Sequence, residues 1–112
     1  MPEESAGHRH ARLQELILDE LRGLFRDDVS DPALGDVTVT NLALSVDYRH
    51  ARVHFVLHNA AAANVRLVHA RLLRVTPFLR ARLGDSLELK RTPELTFVLD
   101  AITGATGTPD GV

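Results

Sequence analysis

The chain has 112 residues, 45% of them apolar and none of them cysteine. This length supports one domain with a hydrophobic core and is too short for two independently folding units. The absence of cysteine excludes disulfides and thiolate metal sites. No apolar run reaches the roughly 18 residues that span a membrane, and the first residues lack the basic and apolar regions of a secretory signal, so we expect a cytoplasmic protein.

The net charge of −2 conceals an uneven distribution along the chain. Residues 1–47 carry 10 acidic and 4 basic side chains, residues 48–91 carry 2 acidic and 9 basic ones, and residues 92–112 carry 3 acidic ones. A basic segment of this kind indicates a polyanionic partner such as a nucleic acid. Solvated helix faces with an ordinary arginine content are the alternative explanation.

The N-terminal quarter predicts an amphipathic helix over residues 8–27, preceded by a flexible segment over residues 1–7. Its apolar residues recur at spacings of three and four, at Leu13, Leu16, Ile17, Leu21, Leu24 and Phe25. The next segment, SDPALGD, predicts a turn, because Pro32 fixes φ and Gly35 permits a positive φ.

Two strands are predicted next. VTVTNLALSVD is rich in β-branched residues, and the phase of its alternation slips near Asn41, which indicates a bulge in strand 1. Strand 2, ARVHFVLH, alternates regularly. Its predicted inward residues are Ala51, Val53, Phe55 and Leu57, and its predicted outward residues are Arg52, His54, Val56 and His58.

A long second helix and a third strand complete the predicted domain. The helix begins near Ala60 and carries an apolar stripe at Val65, Val68, Leu72, Val75 and Leu79. We expect strand 3 to include Leu87, Leu89, Leu95, Phe97 and Leu99, and to lie at an edge or be bulged, because Pro93 cannot donate to a ladder. The fold class is therefore α+β, with the order α-β-β-α-β, a three-stranded mixed sheet and both helices on one face. The predicted domain covers residues 8–100, and residues 101–112 form a disordered tail.

The second helix contains Pro77, with Arg74, Arg80 and Arg82 close to it in sequence. Because a proline inside a helix costs about 3 kcal/mol, we weigh a single kinked helix against two helices. We favour two helices, with Thr76 as the N-cap and Pro77 as the first residue of the second one. The amides after Pro77 would then be free to bind phosphate. A helix junction without a ligand is the alternative.

Three stretches of the sequence resemble the ribosome-binding factor A family. They are DPALGDVTV at residues 31–39, SVDYRHARV at residues 45–53 and RTPELTF at residues 91–97. The resemblance covers residues 8–100. It implies a type II KH-like domain that binds the immature small (30S) ribosomal subunit and its ribosomal RNA. It also implies a non-catalytic role in maturing the subunit and processing its RNA.

The chain departs from the family at the break in the last helix. The family usually has an Ala-x-Gly kink there, whereas this chain has Val75, Thr76 and Pro77. We expect the kink to persist at Thr76-Pro77. Because the larger side chains obstruct close approach of the backbone to RNA, we expect contact through side chains instead.

The predicted RNA-binding residues are the basic side chains of the last helix and the following loop, together with the N-cap threonine. They are Arg66, Arg74, Thr76, Arg80, Arg82, Lys90 and Arg91. Arg71 and Arg82 flank the apolar stripe, where their stems could also lie along the core. We expect the protein to recognise mainly the charge of the RNA backbone and the shape of the RNA. We also expect a monomer when the protein is free, and no cofactor or metal.

Other candidate sites are weaker. His8 and His10 could chelate a metal but lie in the terminal segment, and Asp47 beside His50 lacks a third group for acid-base chemistry, so a turn explains that pair better. The strongest rival function is a protein-protein interaction module that uses the acidic first helix or the open sheet face. A hydrolase is a more distant alternative.

Overall fold

The computed structural model describes residues 2–58 and 62–103, with side chains for residues 8–58 and 64–103. The elements are α1 (Pro2–Asp27), a 3-10 turn (Pro32–Leu34), β1 (Val37–Leu44), β2 (His50–His58), α2 (Ala62–Ser86) and β3 (Glu94–Thr103). The predicted order α-β-β-α-β is confirmed. Helix α1 begins ahead of the predicted start at residue 8, and β3 extends past the predicted domain end at residue 100. Residues 104–112 of the predicted tail lie outside the described residues.

The three strands form one mixed sheet in the order β1-β2-β3. Strand β2 lies in the centre, antiparallel to β1 and parallel to β3. The inward residues of β2 are Ala51, Val53, Phe55 and Leu57, and all four are buried as predicted. Residues of both helices pack against this same face, so no helix of the described residues covers the opposite face of the sheet.

Strand β1 contains the predicted bulge. The pairing register with β2 shifts between Val39 and Asn41, which leaves Thr40 as the extra residue. This shift places Val39 and Leu42 on the same buried face. Arg22 of α1 stabilises the bulge, because it donates to the carbonyls of Val39 and Thr40 at 3.1 and 2.9 Å.

The SDPALGD segment forms the predicted turn, but without a positive φ. The Asp31 carboxylate caps the 3-10 turn by accepting a hydrogen bond from the Ala33 amide at 3.0 Å. Gly35 closes the turn in the right-handed helical region with φ −63. Leu34 is buried, so the turn anchors the start of β1 to the core.

Helix α2 is continuous and contains Pro77 in its interior. The prediction of two helices that meet at Thr76 and Pro77 is therefore wrong, and the single helix is correct. Pro77 lies on the exposed side of α2, and so does Leu73, whose carbonyl loses its helical donor. Water can satisfy that carbonyl, which lowers the cost of the interior proline. Within the described parts of the chain, no helix is long and apolar enough to span a bilayer.

The end of α2 corrects a second prediction. Leu87 and Leu89 do not begin strand 3, because the backbone there completes a helix C-cap. Glu88 has φ 54, and the Leu89 amide donates to the Gly84 carbonyl at 3.0 Å, the hydrogen bond of a Schellman motif. Strand β3 starts only at Glu94, and it is an edge strand as predicted.

Candidate nucleic-acid interface

The outward face of α2 presents two of the predicted RNA-binding residues. Val68, Leu72 and Leu79 are buried on the inner side of this helix, so Arg66 and Arg74 are directed to solvent and are exposed. Neither arginine forms an ion pair with a residue whose side chain the structure describes. Both guanidinium groups are therefore available to an external anion.

The loop between α2 and β3 carries two more of the predicted RNA-binding residues, Lys90 and Arg91, which are also exposed. The Glu94 amide donates to the Arg49 carbonyl at 2.8 Å, which brings the β1–β2 turn beside this loop. The two segments and the neighbouring residues of α2, β2 and β3 line a concavity of about 290 Å³. Its lining residues are Arg49, His50, Arg80, Arg91, Thr92 and Glu94. The concavity therefore gathers three arginines from distant parts of the sequence.

Arg49 is a cationic residue that the sequence prediction missed. Strands β2 and β3 are parallel, so the segments that precede them meet at the same end of the sheet. Arg49 immediately precedes β2, and Arg91 lies shortly before β3. The sequence predicted a mixed sheet without stating that strand 3 pairs with strand 2, so it did not place Arg49 beside the basic loop.

Arg80 is half-buried and holds the loop in place. Its guanidinium donates to the Thr92 and Pro93 carbonyls at 2.8 and 3.0 Å and lies 4.0 Å from the Glu94 carboxylate. These contacts give Arg80 a structural role in the concavity. Its predicted contact with RNA stays a prediction.

Arg82 and Arg71 attach α2 to the linker that follows α1. Arg82 lies 3.1 Å from the Asp28 carboxylate, and Arg71 lies 2.8 Å from that of Asp31. The Ala33 amide and then the Arg71 guanidinium lower the pKa of the Asp31 carboxyl, so the pair is charged at neutral pH. Both arginines thus have carboxylate partners within the chain.

The helix start predicted at Thr76 is wrong, which removes the free amides expected to bind phosphate, whereas contact of the Thr76 side chain with RNA stays a prediction. The Thr76 hydroxyl does not cap a helix but donates to the Leu72 carbonyl one turn earlier, at 2.7 Å. Because α2 is continuous, the amides after Pro77 lie inside the helix and do not form a free N-terminus. The basic side chains of this region remain the candidate site.

His10 makes structural contacts. His10 Nε2 donates to the Leu44 and Ser45 carbonyls at 2.9 and 3.1 Å, and its ring stacks on Tyr48 with centroids 5.4 Å apart. It thereby fastens α1 to the β1–β2 turn. In residues 2–58 and 62–103, no three histidine, aspartate or glutamate side chains are placed to hold a metal ion.

The open sheet face carries a polar network across all three strands. His58 lies between the Thr38 and Thr103 hydroxyls at 2.9 and 2.8 Å, and His54 Nδ1 lies 3.0 Å from the Asp100 carboxylate. These contacts link the outer face of β2 to both edge strands. His54 and His58 therefore have partners within the sheet.

The turn between β1 and β2 accounts for Asp47. Its carboxylate accepts hydrogen bonds from the Ser45 hydroxyl at 2.7 Å and the Arg49 amide at 3.1 Å. The Ser45 hydroxyl and then the Arg49 amide lower the pKa of this carboxyl. The backbone of Tyr48 has φ 64, as tight turns often require. The prediction of a turn is confirmed.

A small α+β domain with an exposed basic side is the class that this fold and surface define. The sequence model of the family described as Ribosome-binding factor A matches residues 9–106 of the chain. A Ribosome-binding factor A from Heliobacterium modesticaldum is 42% identical over 95 residues, which cover 85% of this chain and 78% of that relative. The chain belongs to the ribosome-binding factor A family.

Solved structures of similar proteins share the fold. The crystal structure of ribosome-binding factor A from Thermus thermophilus superposes with a TM-score of 0.60 at 24% identity, over 83% of this chain and 92% of that one. A homology model of the Thermus thermophilus ribosome binding factor A, fitted into the cryo-EM map of a 30S-RbfA complex, has a TM-score of 0.56 at 25% identity. That match covers 82% of this chain and 91% of the other.

Proposed function

We propose that this chain binds the immature small (30S) ribosomal subunit through its ribosomal RNA, and that it assists maturation of the subunit and processing of that RNA. The observation that carries the proposal is the similarity to a family member fitted into a 30S complex. The role is binding without turnover, requires no cofactor and takes place in the cytoplasm, with the chain monomeric before it binds.

The surface that we assign to RNA contains five exposed cationic residues. This basic surface consists of Arg49 in the β1–β2 turn, Arg66 and Arg74 on α2, and Lys90 and Arg91 in the loop before β3. None of the five forms an ion pair with another described side chain. Phosphate oxygens are the natural partners of such groups, since each contact neutralises charge and releases counterions from the RNA.

Two of the predicted site residues, Arg80 and Arg82, are not included in the basic surface. Arg80 and Arg82 add positive charge near the basic surface, but their guanidinium groups already contact the loop carbonyls and Asp28. Replacing either residue would alter folding as well as charge. The test therefore uses only residues of the basic surface.

The experiment compares two sets of three substitutions that remove the same charge. One variant carries Arg74→Ala, Lys90→Ala and Arg91→Ala on the basic surface. The control variant carries Arg9→Ala, Arg12→Ala and Arg26→Ala on α1. Binding of each protein to purified immature small subunits is measured by sedimentation through a sucrose gradient. We expect the first variant to bind roughly 10- to 100-fold more weakly and the control to bind like the wild type.

Equal losses in the two variants would contradict a localised RNA site. Failure of the wild type to sediment with subunits would contradict the function itself. Capture of ribosomal proteins without RNA, unaffected by either set, would instead support the protein-protein interaction module.

A further inference from the structure

A groove separates α2 from the linker that follows α1. This linker groove is lined by Asp28, Val29, Ser30, Asp31, Arg71, Arg74, Val75 and Phe78, and its volume is about 320 Å³. Pockets for small ligands have volumes of roughly 300 to 1,000 Å³, so the groove is large enough for a single small organic group. The groove lies on the side of α2 opposite to Arg80, which contacts the loop before β3.

Phe78 gives the groove an exposed aromatic ring. The residue is 40% exposed, unlike the core residues Leu72 and Leu79 of the same helix. The Arg82 guanidinium lies 5.7 Å from the ring centroid and is itself held by Asp28. Contact with a held cation restricts the ring, and a restricted exposed aromatic ring is a platform on which a planar ligand can stack.

The charges of the groove leave one surplus cation. Asp28 and Asp31 each form an ion pair with an arginine of α2, so their negative charges are balanced within the protein. Arg74 has no such partner among the described side chains. It precedes Phe78 by four residues, which places the two side chains next to each other on the helix surface. The groove thus combines an aromatic face with an adjacent available guanidinium.

We propose that the linker groove holds one unpaired nucleotide of the RNA, with its base stacked on Phe78 and its phosphate on Arg74. This inference rests on the proposed function and adds that the contacted RNA includes a nucleotide outside a double helix. A phosphate alone would not use the aromatic ring, and an apolar side chain would not use the guanidinium. Unpaired nucleotides are recognised by this pair of contacts, since every base has a face that stacks.

The test measures binding of two labelled RNAs by fluorescence anisotropy. One is a single strand of about ten nucleotides without self-complementarity, and the other is a blunt RNA duplex. Phe78→Leu keeps an apolar side chain but removes the aromatic face, whereas Phe78→Tyr keeps that face. We expect Phe78→Leu to bind the single strand roughly 5- to 100-fold more weakly, and Phe78→Tyr to bind it within about twofold of the wild type. Duplex binding should not change in either variant.

Leu73→Ala is the matched control, because Leu73 is the more exposed apolar residue of α2, at 73%, and does not line the groove. It should bind both RNAs like the wild type. Arg74→Gln, which removes the positive charge but keeps a polar side chain, should weaken binding of the single strand and also reduce its salt dependence. Thermal unfolding of each variant verifies that the fold is retained.

The proposal is overturned if Phe78→Leu binds the single strand like the wild type, or if it loses duplex and single strand equally. It is also overturned if Phe78→Leu loses binding to RNA-free ribosomal proteins and retains binding to the single strand. In each case wild-type sedimentation with immature subunits decides the proposed function separately. A groove without a nucleotide is compatible with a protein that still binds the subunit through its basic surface.

Discussion

Asp31 joins the end of the linker to two different parts of the chain. One carboxylate oxygen accepts from the Ala33 amide at 3.0 Å, and the other accepts from Arg71 at 2.8 Å. The first contact is encoded locally, because aspartate before proline is a typical cap, and the sequence predicted the turn. The second joins residues 40 apart, and it depends on how α2 packs beside the linker. The sequence pattern predicted that the aliphatic part of Arg71 could lie along the core, and it did not predict the ion pair with Asp31.

The Asp31 contacts predict a pH-dependent stability. Hydrogen bonds from the Ala33 amide, and then Arg71, lower the folded-state pKa of Asp31 below the roughly 3.9 of an unfolded chain. The ionised carboxylate therefore stabilises the folded state above about pH 4, and this contribution is lost as the pH falls through the folded-state pKa. We expect wild type to have a higher urea midpoint than Asp31→Asn at neutral pH, and the difference to shrink below pH 4.

Asparagine at position 31 keeps an oxygen that can cap the turn, so the comparison isolates the charge. Asp19→Asn, at an exposed position of α1, serves as the control. A difference between wild type and Asp31→Asn that stays constant from neutral to acid pH would contradict the assigned role of the charge.

Among the elements, α2 shows best where sequence reasoning succeeds and fails. Its apolar stripe was predicted correctly, because burial of Val68, Leu72 and Leu79 follows from helical spacing. The break at Pro77 was predicted wrongly, because local preferences for a cap at Thr76 were weighed without the tertiary packing. Buried residues on both sides of Pro77 hold the helix continuous, and the exposed position of the proline limits its cost.

The continuous helix predicts that Pro77→Ala stabilises the protein. Alanine restores an amide donor for the Leu73 carbonyl and removes the steric conflict of the ring, so the free energy of unfolding should rise by about 1–3 kcal/mol. Urea unfolding measures the change. Ala70→Gly, on the same exposed side of α2, should lower the free energy of unfolding by about 1 kcal/mol. A decrease for Pro77→Ala would indicate that the proline begins a helix after all.

The sheet was predicted more completely than the connection into its last strand. Because successive side chains of a strand point to opposite faces, the alternation in β2 predicts which face is buried. The phase slip in β1 predicts the bulge. The start of β3 was misplaced because apolar Leu87 and Leu89 resemble a strand. Their backbone instead closes α2 through the left-handed conformation of Glu88, for which glycine is the usual residue. No glycine marks this C-cap in the sequence.

At the scale of the whole molecule, the basic surface is assembled from three separate segments. The charge distribution along the sequence predicted the basic residues of α2 and of the following loop. Arg49 lies beside that loop only because β2 and β3 are parallel. The net charge of the chain is −2, so the RNA binding that we propose cannot depend on a general attraction between the whole chain and RNA. A local concentration of cationic side chains is required, and its contribution depends on position more than on total charge.

This distinction predicts different salt dependences for two variants of equal charge. We expect wild-type binding to immature subunits to weaken steeply with salt, because counterions are released for each phosphate contact. The variant with Arg74→Ala, Lys90→Ala and Arg91→Ala should have a logarithmic slope shallower by about 2 to 3, since each lost contact removes roughly 0.7 to 0.9. The α1 control with Arg9→Ala, Arg12→Ala and Arg26→Ala should retain the wild-type slope.

Affinities for this comparison are measured across a series of salt concentrations with each protein in the same buffer. Parallel slopes for all three proteins would place the phosphate contacts elsewhere on the molecule. Equal flattening of both variants would show that net charge governs binding. Flattening confined to the basic-surface variant would assign the phosphate contacts to α2 and the loop before β3, because the two variants carry the same net charge and differ only in where it was removed.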